Sequence, residues 1–334
     1  MPEPLATTPV KGPETTPAQG LAAGVDLGGT NIQVGILDAQ GHIMGRAKLK
    51  TDAEAGFEAV VDRVIRGVRE ACEDAGASFD DLVCIGVGTP GPVEPSTGVV
   101  LEAVNLRWDN APLREVMAAK TGLDVCVEND VNAAIYGEWK HGAGKGASDL
   151  LAAWVGTGVG GGLILRGQPF SGHFHTAGEI GHMILVPGAA PGSRSLEHNC
   201  SRTAVAERIG QLIRANRKSS LAGQIGKGGR IKSKTLAEAY LSGDELTCDV
   251  INDSADRLGM AIGSIATLLS LQRAIIGGGL TEALGEPYVS RVRAAALREA
   301  FPKAVKKMQV VESELGDDAG IIGAGLLAIH HMGV

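Results

Sequence analysis

Three short glycine tracts and a few carboxylates hold most of the chemistry this chain can perform. In DLGGTN, Asp26 precedes Gly28, Gly29, Thr30 and Asn31; in VGTGVGGG, Thr157 and Gly158 stand among glycines; in IIGGGL, Gly278 and Gly279 follow an apolar run. Backbone N–H groups in such turns can approach a phosphate closely because no Cβ intervenes, and a neighbouring hydroxyl adds a donor. Asp26 adds a carboxylate that can hold Mg²⁺, directly or through water. A tight hairpin needing positive φ is the competing reading of any single tract, and the recurrence of tracts weakens it. VENDVNAA places Asn129 and Asp130 where a strand meets a helix. Asp130 suits a base that takes the proton of an attacking hydroxyl while Mg²⁺ and glycine N–H groups stabilise phosphate charge, which is phosphoryl transfer to an alcohol. Either residue can also cap the helix. AGEIGHM sets Glu179 three residues before His182, and Glu197 follows. Carboxylates and an imidazole suit the adjacent hydroxyls of a polyol, although the same spacing occurs in metal sites.

Two nucleotide motifs are set aside. Gly156, Gly158 and Gly161 satisfy G-x-G-x-x-G, but that fingerprint must open a helix, and GLILRGQPF is short, β-like and ends at a proline turn. No P-loop exists either, because Lys145 and Lys227 lack both the spacing and the following hydroxyl.

These groups need elements to hold them. LAAGVDL up to the glycine pair, and NIQVGIL after it, predict a β-hairpin. LLAAWVG, TGVGGG and LILRG repeat the pattern, so two copies of one motif are expected to face each other across a cleft in a two-lobed α/β fold. AGFEAVVDRVIRGVREACEDAG sets Phe57, Val60, Val61, Val64, Ile65, Val68, Ala71 and Cys72 at helical spacings. DDLVCIGVGTPGPV, DVCVEND, RAIIGGGL and KMQVVESEL predict strands. LREVMAAKTG, VNAAIYGEWKHGAG, RTAVAERIGQLIRANRKS and ELTCDVINDSADRLGMAIGSIATLLS predict helices, as does DDAGIIGAGLLAIHHM, which is expected to pack back on the first lobe with Asp317 and Asp318 as its cap. SSLAGQIGKGGRIKS reads as a surface loop.

Composition bounds the class. Of 334 residues, 44% are hydrophobic and 21% charged, which excludes overall disorder and favours about two domains. With 31 Lys and Arg against 38 Asp and Glu, the net charge of -7 disfavours nucleic acid as a partner. No apolar run reaches the roughly 20 residues of a membrane span. Residues 1–20, rich in Pro and Thr, read as a flexible leader and not as a secretory signal. The five scattered cysteines suit reduced thiols, with Cys72, Cys84 and Cys126 in the core, and the expected location is the cytoplasm.

Eight stretches in order, DLGGTNIQ, GVGTPGPVEPSTG, NLRWDNAPL, VENDVNAA, VGTGVGGGLILRG, HTAGEIGH, IIGGGL and GDDAGIIGAGLLA, resemble the ROK family of sugar kinases, within the actin-like ATPase superfamily, and among them the bacterial glucokinases. The resemblance spans residues 22–332 and implies a two-lobed actin-like ATPase (RNase H-like, duplicated) fold with a cleft. The lobes expected are 21–134 plus 318–334, the smaller, and 135–317, the larger, closing around sugar. Asp130 is implied as general base for the 6-hydroxyl of a hexose. Asn129, Glu179, His182 and Glu197 are implied to bind sugar hydroxyls, with Asn105 and Gly91 in turns lining the same pocket. Asp26, Gly28, Gly29, Thr30 and the adjoining Asn31 match the first phosphate element, Thr157 and Gly158 the second, and Gly278 and Gly279 the place that receives adenosine. The activity implied is MgATP-dependent conversion of glucose to glucose 6-phosphate by a homodimer, with no nucleic-acid or membrane partner. Another hexose, an N-acetylhexosamine, another donor such as polyphosphate, and a sugar sensor without activity stay open. The family's repressors carry an N-terminal winged helix-turn-helix, for which residues 1–20 are too short.

One departure is large. Many ROK proteins carry C-x-C-G-x-x-G-C after the Gly-His pair, binding structural zinc. Here ILVPGAAPGSRSLEHNCS keeps Glu197 and Ser201 without those cysteines. His198 and Cys200, with His173 and His175 further back, are too few and too spread for a thiolate cluster. No structural zinc is expected, and Pro187 and Pro191 are expected to stiffen the loop instead.

Overall fold

The computed structural model describes residues 20–225 and 231–333. The expected leader therefore lies outside the described residues, apart from Gly20, and so do residues 226–230 of the glycine-rich basic segment.

Apolar runs buried on both faces build the first sheet. β1 (Leu21–Leu27), β2 (Asn31–Leu37) and β3 (Ile43–Lys50) form an antiparallel meander; after α1 (Phe57–Ala75), β4 (Leu82–Thr89) returns parallel to β1. β5 (Val93–Glu94), β6 (Val99–Ala103) and β7 (Trp108–Ala111) make a separate small sheet. α2 (Leu113–Thr121) leads into β8 (Asp124–Asn129), parallel to β4, and α3 (Asp130–His141) starts at its end. The strand order is β3-β2-β1-β4-β8.

The second half repeats this plan. β9 (Leu150–Val155), β10 (Val159–Leu165) and the short β11 (Gln168–Pro169) form the meander. Helices α4 (Glu197–Cys200), α5 (Arg202–Arg214), α6 (Ala222–Ile225), α7 (Ser233–Leu241) and α8 (Glu245–Leu269) precede β12 (Arg273–Gly277), which runs parallel to β9. After α9 (Gly279–Leu284) and α10 (Glu286–Glu299), β13 (Gln309–Glu312) pairs with β12, and α11 (Ala319–His331) closes the chain. The order β11-β10-β9-β12-β13 matches the first sheet position by position. Two local differences from expectation are α6, a helical turn inside the segment read as loop, and the end of α5 at Arg214, short of the ANRKS read as helix.

The predicted helical stripe is what α1 buries: Val60, Val61, Val64, Val68, Ala71 and Cys72 pack with Val25, Val34 and Ile85 of the first sheet. A larger core joins the second sheet to α8 and α10. Its opposite face is covered by α3, whose Ile135 and Trp139 meet Leu150, Ala152, Ile164 and Ile275. α11 lies against β1 and β4, as expected, and crosses α3 backbone to backbone. A Cβ at Gly323 would overlap the carbonyl oxygen of Ala133, and one at Gly137 would press on that of Ala319. Nearby, the buried carboxylate of Glu138 accepts from Ala143 N (2.8 Å), Ser313 Oγ (2.6 Å) and Leu315 N (2.8 Å), tying α3 to the exit of β13.

All five cysteines are free thiols; burial pushes Cys84 up to about 12 and Cys126 up to about 11. Among the described residues, no helix is long and apolar enough to cross a membrane.

Candidate active site

Ligands of α/β proteins bind beyond the carboxyl ends of parallel strands. The ends of β1, β8, β9 and β12 converge here on a cavity of about 170 Å³, whose lining includes Asp26, Asp130, Trp154, Gly278, Gly279 and Asp317. Glu282 also lines it.

Neither glycine hairpin contains a positive-φ glycine, so conformational freedom is not what those turns use. Close approach is. A Cβ at Gly29 would sit 2.9 Å from that of Asn105, and one at Gly158 would overlap the carboxylate of Glu197. Gly278 differs: its φ is +88° and a Cβ would lie 2.8 Å from Val155 N. The first turn is fastened by Gly28 N to Asn31 O (3.0 Å), Thr51 Oγ1 to Gly28 O (2.6 Å), Thr51 N to Thr30 O (3.1 Å) and Lys50 Nζ to Asn31 Oδ1 (3.0 Å). The second is gripped from α5, where Arg202 Nη2 donates to Thr157 Oγ1 (2.9 Å) and Thr203 Oγ1 to Thr157 O (2.8 Å).

The helix after β8 is capped by Asn129, whose Oδ1 accepts from Val131 N (3.0 Å) and Asn132 N (3.2 Å), while its Nδ2 donates to Gly91 O (3.2 Å). Glu128 supports this by accepting from Asn129 N (2.8 Å) and Asn132 Nδ2 (3.1 Å). Gly91 has φ +87°, and a Cβ there would overlap Glu102 O. Asp130 takes Val131 N at 2.8 Å through Oδ1. The Asn129 side chain also hydrogen-bonds to this carboxylate, so a base and a helix-start contact coexist in one side chain. Burial raises the Asp130 carboxyl above its ordinary range, and the charge of Glu179 adds to this. Burial, then Asp130, push Asp26 up to about 6, against a hydrogen bond from Gln33. Carboxylates so raised are poised to exchange protons nearer neutrality.

Glu179 and His182 are exposed on a 3-10 turn, Ile180–His182, at the cleft. Glu197 is half-buried, and its Oε2 accepts from Val159 N at 2.9 Å. The structure therefore brings Asp26, Asp130, Gly278 and Gly279 into one cavity, with Glu179 facing Asp130. It places Asn105 against the first turn and Glu197 against the second.

One expectation is corrected. Neither Asp317 nor Asp318 makes a side-chain cap on α11: Asp318 is held by the Arg46 guanidinium, and Asp317 lines the cavity. Thr51, Glu128 and the Arg202–Thr203 pair carried no motif. Trp154 was hidden in an apolar strand. It faces the cavity because its row across the sheet is Gly160, Trp154, Gly277, and a Cβ at Gly277 would come within 3.0 Å of the indole.

The sequence profile of the ROK family matches residues 22–331. The chain belongs to the ROK family. A glucokinase of Halalkalibacterium halodurans is 33% identical over 309 residues, 91% of this chain and 93% of that protein. A Thermotoga maritima glucokinase is 31% identical, over 93% of this chain and 98% of its own length. A ROK family glucokinase from Streptomyces griseus, solved in complex with glucose and AMPPNP, superposes with a TM-score of 0.80 at 32% identity, covering 93% of this chain and 100% of that one. The actin-like α/β fold is thus that of ROK kinases.

Against the cysteine motif of many ROK proteins, the strap over 183–196 is fastened by backbone. Leu185 N and Val186 N both donate to Arg194 O (2.8 and 3.0 Å), and Leu196 N to Met183 O (2.9 Å). His198 Nδ1 pairs with Ser195 Oγ (2.8 Å), while the buried Cys200 thiol donates to Ser254 O (3.4 Å) and is pushed up to about 12. Among the described residues, no group of three or more His, Cys, Asp or Glu is arranged to hold a metal.

Proposed function

We propose that this ROK protein transfers a phosphoryl group from MgATP to the 6-hydroxyl of a hexose, with glucose as its substrate. The observation that carries the reading is Asp130, whose carboxylate lines a cavity shared with Asp26 and Gly278 and feels the charge of Glu179. Asp130 accepts the hydroxyl proton as the oxygen attacks. The N–H groups of the turns around Gly28, Gly29 and Thr30, and around Thr157 and Gly158, position the phosphates. Glu179, His182, Glu197, Asn105 and the remaining N–H of Asn129 read sugar hydroxyls, and Gly91 fixes the Asn129 amide. Gly278 and Gly279 receive the nucleoside. Asp26 is the oxygen donor that suits Mg²⁺, with phosphate oxygens and water completing its shell, and the ion offsets phosphate charge. The lobes 21–134 plus 318–334 and 135–317 close on the sugar and exclude water, and the working unit is a homodimer.

ADP release with MgATP over glucose, mannose, fructose, N-acetylglucosamine and N-acetylmannosamine, each beside a control without sugar, tests this. Preference for glucose is expected. Preference for an N-acetyl sugar would move the substrate, and silence with all five would overturn the kinase reading. The strap is read as metal-free, so elemental analysis of purified protein should find well below about one zinc per chain; a stoichiometric amount would refute that.

A further inference from the structure

We propose that Glu197 couples the sugar pocket to the second phosphate turn, so that filling one strengthens binding at the other; this rests on the kinase reading. One carboxylate oxygen, Oε2, accepts the N–H of Val159, the first residue after the turn, at 2.9 Å. The same oxygen lies where a side chain at Gly158 would have to go. The other oxygen, Oε1, has no hydrogen bond among the described residues. Glu197 also begins the segment that grips the turn: Arg202 N donates to Gly156 O (2.9 Å), and Arg202 Nη2 and Thr203 Oγ1 hold the two oxygens of Thr157 (2.9 and 2.8 Å). On its far side, the Cβ of Glu197 stands 3.5 Å from the Cβ position of Gly181, inside the turn that carries His182.

A carboxylate is a rigid plane, so orienting one oxygen orients the other. A sugar hydroxyl donating to Oε1 fixes Oε2 on Val159 N–H, and with it the N–H groups that meet phosphate. The first turn is held differently: among the described residues its hydrogen bonds come from Lys50 and Thr51, beside it in the same meander, and Asn105 packs on Gly29 without one. Coupling of this kind is reciprocal: the nucleotide must tighten sugar by the factor with which sugar tightens nucleotide.

The test is calorimetric titration of AMPPNP with Mg²⁺, with and without saturating glucose, on the wild-type protein, Glu197→Gln and Glu197→Ala, with melting curves to establish folding. In the wild type, glucose should tighten AMPPNP by at least about fivefold. Glu197→Gln keeps an oxygen for Val159 N–H; it should bind AMPPNP alone within about twofold of wild type and lose most of the glucose effect. Glu197→Ala loses that acceptor and should bind AMPPNP alone about three- to tenfold more weakly. Should Glu197→Ala not fold, Gly158→Ala, which displaces the carboxylate from the other side, should weaken glucose binding measured without nucleotide. Equal AMPPNP binding by Glu197→Ala and wild type, or an undiminished glucose effect in Glu197→Gln, overturns the coupling. A wild-type protein that phosphorylates no sugar yet binds AMPPNP more tightly with glucose overturns the kinase reading alone. One that binds neither overturns both.

Discussion

The two glycine turns occupy the same corner of two sheets with the same strand order, yet they are held from different directions. The first is fastened by Lys50 and Thr51, within its own meander. The second is held by Glu197, Arg202 and Thr203, from a segment some forty residues on. Their flanks differ as well. The next-to-last paired residue before the first turn is Asp26, and before the second it is Trp154, so one corner of the cavity is anionic and the other aromatic. Duplication has repeated the strands and not the fastenings. The first turn is fastened by its neighbours in the meander, while the second is held from the segment that the proposed coupling runs through.

The largest effect should come from the residue between the turns. Asp130→Asn should lower kcat by about 100- to 10,000-fold while glucose affinity by calorimetry stays within a few-fold; near-normal turnover would remove the base from the site that both turns serve. Thr51→Val then tests the first turn. It leaves Gly28 O without its hydroxyl donor and should raise the KM for ATP about three- to tenfold, with the KM for sugar within about twofold. Equal rises in both would erase the contrast with Glu197.

The anionic corner has a pH signature. Asp26, at about 6 when folded, keeps a proton that the unfolded chain has lost above its ordinary value of 3.8. Relative to the ionised form, its protonation therefore favours the folded protein fully below 3.8, and that benefit is lost as pH rises through about 6. Asp26→Asn should raise the melting temperature of the ligand-free protein by about 2–4 °C at pH 8, with the gain gone near pH 4. A gain of the same size at both pH values would show that its charge is not strained. The smallest effect is expected at His175, which reaches Glu94 at 3.9 Å and links the loop before Glu179 to β5. His175→Ala should change the KM for sugar less than about twofold, as a half-buried pair at this separation contributes little; a tenfold change would make that loop a second brace of the sugar pocket.

Much of this was legible in the chain because the signals are local. Apolar runs on either side of DLGGTN and VGTGVGGG gave both hairpins, the spacing from Val60 to Cys72 gave α1, and VENDVNAA gave the strand-to-helix corner that places Asp130. What stayed hidden depends on distant partners. Nothing near Thr157 points to Arg202, and nothing in LLAAWVG says that glycines on both neighbouring strands leave Trp154 facing the cavity. Asp317 and Asp318 have the composition of a helix cap, but a guanidinium 272 residues earlier in the chain claims Asp318. Glu197 was readable as a candidate hydroxyl ligand from its residue type and from the resemblance, and its bond to Val159 needed the fold.

Where α3 crosses α11, backbone rests on backbone at Gly137, Gly323 and Ala133. Helices that mesh through side-chain ridges resemble gears, which turn only by jumping from one groove to the next. This crossing is a plain bearing. The two sheets it joins have no teeth between them there, and one methyl group at position 323 would supply a tooth.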